Sequence, residues 1–328
     1  MFKNKYLYLY LCLYLSLMHT APLLAQAWAP TKNVEIIVSS VPGGSNDKTG
    51  REIEKALMEL KVVPTSTSIV GKPGGGGGIA LTYLNLHPGD GHYLGVAIGT
   101  ISSNHIIGAS KVNYTDITPI AKLVNDYVVF AVKADSPLKT GKDLMAQLKA
   151  KPSSASMGFA SAFGNSRHIA AGLLVKALDS NPRDLKTVVF KGSAEAISAL
   201  LGGHLDMVII GAGNAVAHVQ SGRMRVLAVT SPRRLAGALS FVPTWRELGV
   251  DVVSGSWRGI MGPKDMPAAQ IAYWENAMRQ VSQNAGWKAD MERNYWSEDF
   301  AIGTQLKKDL EKDYADTKKV LTDIGLAK

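Results

Sequence analysis

The chain has 328 residues, of which 46% are hydrophobic and 19% charged, and its formal net charge is +9. That balance excludes a disordered polymer, and the length suffices for two lobes of ordinary size. The lysines and arginines are scattered, with no run of about five or more, so the positive balance reads as a basic surface or a field that draws anionic solutes, not as a nucleic-acid strip.

The N-terminus sets Lys3 and Lys5 before an apolar, tyrosine-rich run from Tyr6 to Met18, followed by the small-residue exit Ala25-Gln26-Ala27. This is the three-part plan of a secretory signal peptide over residues 1–27, cleaved after Ala27. A membrane span needs roughly 20 consecutive apolar residues, and His19, Thr20 and Pro22 interrupt this run. The single Cys12 lies inside the run, not just after it, so no lipid anchor is expected. Cleavage would leave a cysteine-free chain, stable through its packed core alone. Loss of Lys3 and Lys5 would lower the net charge from +9 to +7.

From Val34 onward, short apolar runs alternate with amphipathic stretches, and the junctions are rich in glycine, serine or asparagine. This predicts βα units on a largely parallel sheet. Strands are expected at 34–40, 67–70 and 93–98, with helices at 46–60 and 77–86 between them. The pattern restarts after Pro152 with strands at 155–159, 187–190 and 207–210 and helices at 166–178 and 194–201. Between the two sets, the β-branched run 120–133 is long enough to cross from one lobe to the other. A further strand at 225–230 leads through Pro243 to a second extended run at 252–261, which can carry the chain back. The tail beyond Pro267 shows helical periodicity at 272–281 and 306–324, stopped by Gly325, with no strand expected. The expected fold class is therefore α/β and two-lobed, each lobe a largely parallel sheet flanked by helices. Lobe 1 is discontinuous, residues 28–125 and 256–328; lobe 2 is 126–255.

Ligands of open α/β sheets bind beyond the carboxyl ends of the strands. The first such loop contains Pro42, Gly43, Gly44, Ser45 and Asn46, where two glycines permit a tight turn and leave N–H groups at a positive helix end suited to a carboxylate. Ser45 or Asn46 could equally do no more than cap that helix. Lys72-Pro73 opens a run of five glycines that includes Gly75, which strips side chains from the surface so a ligand can approach. The run lacks a nucleotide-loop ending. Thr100 and Ser102 supply hydroxyls after the third strand. In the second lobe, Ser161, Phe163, Gly164, Asn165 and Ser166 open a helix that also carries Arg167 and His168. Gly192, Ser193 and Asn214 complete that rim. Arg258 lies in the returning strand beside Trp257, where it could pair bidentately with a carboxylate, or be a surface arginine over a core tryptophan.

Taken together, Pro42-Gly43-Gly44 with Asp47 and Arg51, Lys72-Pro73-Gly74-Gly75-Gly76-Gly77, Pro88-Gly89-Asp90-Gly91, Gly164-Asn165-Ser166 with His168, Phe190-Lys191-Gly192-Ser193 and Leu201-Gly202-Gly203 stand in the order of a known family. The chain resembles the substrate-binding proteins of tripartite tricarboxylate transporters, also called the Bordetella uptake gene family, over nearly its whole length after Ala27. The resemblance implies a type II periplasmic-binding fold whose cleft holds a small carboxylate through backbone groups and bridging waters, no cofactor, a periplasmic location, and delivery to membrane permease subunits by a monomer. It carries over to Pro42, Gly43, Gly44, Gly164, Ser166, Gly192 and Ser193. Phe163 and Arg167 depart from the family pattern.

Three other classes are weighed against this. Ser45-x-x-Lys48, Ser102-x-Asn104 and Lys139-Thr140-Gly141 stand in the order of a penicillin-recognising acyltransferase, but the last triplet follows Pro137 and precedes an amphipathic helix, not a strand as that chemistry needs. The histidines never take a helical metal-ligand spacing. An orphan sensor or scavenger that signals to a membrane partner without transport is the remaining alternative.

Overall fold

The computed structural model describes residues 28–160 and 162–328. The signal-peptide reading of residues 1–27 and the ligand reading of Ser161 fall outside the described residues. Two βαβ sets appear as expected. The first runs β1 (Val34–Val38), α1 (Ser45–Leu60), β2 (Thr67–Gly71), α2 (Gly78–Leu84), β3 (Tyr93–Ile98) and α3 (Thr100–Ile106). The second runs β5 (Ser156–Ala160), α5 (Ser166–Ala177), β6 (Lys186–Phe190), α6 (Ser193–Leu201), β7 (Met207–Gly211), α7 (Ala212–Gln220) and β8 (Met224–Val229). Joining them are β4 (Thr118–Lys133) and, before the second set, α4 (Gly141–Ala150).

The strand order is β2-β1-β3-β9-β4-β7-β5-β6, where β9 is Gly255–Gly262. The 16 residues of β4 span about 50 Å, and its two halves serve different partners. Residues 118–127 pair antiparallel with β9, while residues 128–133 pair with β7 and β8. One strand is thus shared by both halves of the sheet. The second crossing is the junction at Ser254: Thr230 donates its hydroxyl to the Ser254 carbonyl at 2.5 Å, and Ser254 donates its amide back to Thr230 at 3.3 Å.

Burial explains which strands are central. All five residues of β5 and of β7 are buried, as befits strands covered by helices on both faces. The outermost strands, β2 and β6, are only partly buried. Each half has apolar clusters on both faces of its sheet: Trp274 and Trp287 anchor one in the first, and Phe130 packs edge-on against Trp245, 5.1 Å between ring centroids, in the second. Truncating such a fully buried aromatic costs about 3–5 kcal/mol.

The tail differs from expectation. It folds as α8 (Ala268–Gln283), α9 (Ala285–Asn294), a strand β10 (Ser297–Ile302) and α10 (Gly303–Asp323). β10 pairs with residues 121–125 of β4, so its partner lies far away in sequence. Nothing local marks it as a strand. α9 is started by Asn284, whose side chain accepts from the Trp287 amide at 2.8 Å. Nor does α10 only cover the first half: Leu306 and Leu310 pack there, while Ile324 meets Gly172 of α5 and the Lys328 amide bonds the Ile106 carbonyl. The triplet ending at Gly141 does precede a helix, because Thr140 and Asp143 form a reciprocal cap on α4.

Candidate functional site

The loop after β1 is built around a buried carboxylate. Asp47 accepts from the Gly43 amide at 2.8 Å and from Arg51 Nε at 2.9 Å, and its own amide donates to Ser40 Oγ at 2.9 Å. The Arg51 hydrogen bond holds the Asp47 carboxyl below its ordinary range, helped by the Gly43 amide and opposed by burial. Gly43 needs its φ of 78°, which only glycine adopts freely. Gly44 is the N-cap of α1, with no side-chain cap, and its amide donates to the Val41 carbonyl at 2.9 Å. Asn46 does not cap the helix: it instead donates to Ser39 Oγ at 2.5 Å. The side chain of Ser45 is outside the described residues. Pro42 and Gly43 remain exposed at the loop's crest.

In the second half, Asn165 closes the start of α5. Its Oδ1 accepts from the amides of Arg167 at 3.0 Å and His168 at 3.2 Å, and its Nδ2 donates to the Ala160 carbonyl at 2.7 Å. With both acceptor sites of its oxygen and one of its two N–H groups used within the fold and only 4% of its surface exposed, Asn165 acts as the helix cap. His168 stacks on Phe159 at 5.2 Å and accepts from the Gly164 amide at 3.2 Å through Nδ1. Burial pulls its pKa down to about 4, so it orders this loop as a neutral ring. Gly164 takes φ 79°, and Phe163 stands exposed at the tip.

Ser102 also leaves the site. It is fully buried, and its hydroxyl donates to Asp313 Oδ2 at 2.9 Å, fastening α3 to α10. Burial raises the pKa of Asp313, against the Ser102 hydrogen bond. Thr100 and Ser166, by contrast, share the lining of a cavity of about 580 Å³ together with Tyr127 and Trp257. Gly75 is exposed in a short turn, Gly192 is the N-cap of α6 with open space beside it, Ser193 is half-buried and Asn214 is exposed in the first turn of α7.

Arg258 is neither a surface residue nor stacked on Trp257. It is 4% exposed, its guanidinium lies 5.1 Å from the Trp296 ring, and it donates to Asp126 Oδ2 at 2.5 Å and Thr49 Oγ1 at 3.0 Å. Thr49 belongs to α1, and Asp126 borders the position a Gly211 Cβ would take, 3.3 Å away, with Asn214 beside it at 3.4 Å. Arg167, in the first turn of α5, is close enough for the charges of both Asp126 and Arg258 to act on it. The first turns of α5 and α7 and the second turn of α1 therefore meet around Asp126 and Arg258 on β4 and β9, with Arg167 of α5 close by. Asp126 escaped the sequence reading, and Arg167 entered it only as a departure from the family pattern. The signal was Asn125-Asp126 interrupting an apolar run, a polar pair that a purely structural strand would not need.

Residues 56–326 match the family described as Tripartite tricarboxylate transporter family receptor. A UPF0065 protein of Cupriavidus necator is 26% identical over 319 residues, covering 93% of this chain and 92% of that protein. Protein BugT of Bordetella pertussis is 27% identical over 251 residues, 74% of each chain. Among solved structures, a TctC solute-binding protein from Polaromonas superposes with a TM-score of 0.75 at 25% identity, covering 89% of this chain and 99% of that one. A Rhodopseudomonas palustris protein solved with adipate superposes with a TM-score of 0.78 at 23% identity, over 91% and 99% of the two chains.

Proposed function

The chain belongs to the tripartite tricarboxylate transporter family of receptors, which are periplasmic solute-binding proteins, and from that premise we propose that it captures a small carboxylate between its two halves and delivers it to membrane permease subunits of a tripartite transporter. The observation that carries the reading is the convergence of the starts of α5 and α7, and of Thr49 of α1, on the Asp126–Arg258 pair. Positive helix ends and an arginine-rich floor suit an organic anion. The structural relatives solved with adipate and with malate carry small dicarboxylates, which fits the same ligand class.

In this reading residues 28–125 and 256–328 form one lobe and 126–255 the other, with the hinge at Asp126 on β4 and at Gly255-Ser256 on β9. Carboxylate oxygens approach the crest of the Pro42–Gly44 loop, while Gly164, Ser166, Gly192, Ser193 and Asn214 close from the second lobe. A few backbone angles suffice for such closure, driven by the ligand's higher affinity for the closed form. Bridging waters can complete the contacts, and one copy of the chain suffices. Export is by the segment 1–27.

The test is a thermal-shift screen of residues 28–328 against di- and tricarboxylates, aromatic acids, amino acids, sugars, metals and a penicillin. A ligand at 100 times its Kd adds about 2.7 kcal/mol of stability. Stabilisation by a carboxylate is the expected result; stabilisation by a sugar, a metal or a penicillin alone overturns the reading.

A further inference from the structure

Two arginines, Arg258 and Arg167, stand near the single carboxylate of Asp126. Arg258 is matched by Asp126 at 2.5 Å. Arg167 has no such match: among the described residues its guanidinium takes part in no ion pair, and its Nε is sealed from solvent with no hydrogen-bond partner. Arg167 itself is half-buried, and a guanidinium nitrogen sealed without an acceptor is unfavourable. Its place makes this worse, because a cation in the first turn of a helix opposes the helix dipole. Only its backbone amide is used, in the Asn165 cap. Burial, first, and then the neighbouring Arg258 push its pKa below the ordinary arginine value, while Asp126 counters in part. Glycine-rich loops and backbone amides elsewhere in the cleft cannot supply the missing negative charge.

We propose that Arg167 is a specificity-determining residue: it forms the direct ion pair with a ligand carboxylate, and the Arg167–Asp126–Arg258 group, with its single excess positive charge, selects anions over zwitterions and neutral solutes. The inference rests on the carboxylate-binding reading above. It also explains an otherwise costly sequence feature, since Arg167 is where this chain departs from the pattern it resembles. The guanidinium fork matches a carboxylate with two parallel hydrogen bonds, so a bound acid would satisfy both the charge and the empty Nε.

The experiment compares wild-type residues 28–328 with R167M and R167K by thermal melting without ligand and by calorimetric titration with adipate, malate, citrate and benzoate. R167M keeps most of the side chain's apolar bulk and leaves Asp126 and Arg258 as a balanced pair. It is expected to melt at or above the wild type without ligand, and to bind the best carboxylate about tenfold to a hundredfold more weakly. R167K is expected to restore part of that affinity. Undiminished binding by R167M overturns the inference while leaving the carboxylate reading intact. If no carboxylate binds the wild type, the carboxylate reading fails, and the ligand-free melts still decide for Arg167. R167M melting below the wild type means the arginine is satisfied within the fold and overturns the proposal, whereas melting at or above it supports an anion site left empty.

Discussion

Arg258 on β9 and Asp126 on β4 form a buried ion pair at 2.5 Å that spans the two crossing strands, and the same guanidinium holds Thr49 of α1 at 3.0 Å. Of these two strands only β4 continues into the second half of the sheet, and β9 pairs within the first, so the pair fastens the joining strand to its neighbour.

Removing the aspartate should cost more than removing the arginine. D126N removes the carboxylate that Arg258 holds and whose charge acts on the nearby Arg167, whereas R258M leaves Asp126 facing the remaining Arg167. Breaking a buried pair costs about 3–5 kcal/mol, so D126N should lower the stability by that amount and R258M by less. Urea unfolding of both variants measures it. A smaller loss in D126N than in R258M would show that the two cations do not share the aspartate.

Acid should weaken the fold through His168. Its pKa is about 4 in the folded chain against an ordinary 6.5. Between those values the unfolded chain binds a proton that the native one refuses, so stability falls as pH drops from about 6.5 to about 4. Integrated over that window the loss is on the order of 3 kcal/mol. H168Q, which keeps an acceptor for the Gly164 amide, should flatten that part of the curve. A variant whose stability falls as steeply as the wild type's would remove His168 as the cause.

Two glycine-to-alanine changes should behave oppositely. A Cβ on Gly44 would lie 2.8 Å from Ser40 Cβ and 2.9 Å from the Val41 carbonyl oxygen, so G44A must displace the first loop. A Cβ on Gly192 would meet nothing within 4 Å. G44A is expected to weaken carboxylate binding at least about tenfold, about 1.4 kcal/mol, and G192A to leave stability unchanged. Calorimetric titration of G44A with wild-type affinity would take the first loop out of the site.

Ser102 offers a control for residues that the fold has claimed. S102A removes the donor to buried Asp313 and should cost about 1–3 kcal/mol, with no effect on ligand affinity, because the hydroxyl is fully buried. Guanidinium unfolding and a binding titration of the same sample check both halves. A binding defect without a stability loss would return Ser102 to the cleft.

Most of the architecture was legible because it rests on local rules. Apolar runs bounded by glycine, repeated in two sets, announced the strands β1 to β3 and β5 to β7, and the long run in β4 announced a crossing. The order of the loop motifs pointed to the family before any contact was known. What the amino-acid string by itself could not decide was which polar groups remain free. Ser102 and Asn165 looked like donors, yet their partners, the distant Asp313 in one case and the backbone of their own loop in the other, consume them. Arg258 looked solitary, yet Asp126, 132 positions away, meets it. Arg167 stood out only as a departure from the family pattern, yet packing seals its Nε without an acceptor. β10 became a strand only because an edge of β4 was there to bond it. Local propensity and periodicity depend on neighbours along the chain, whereas hydrogen-bond satisfaction and charge balance depend on groups that only tertiary packing brings together.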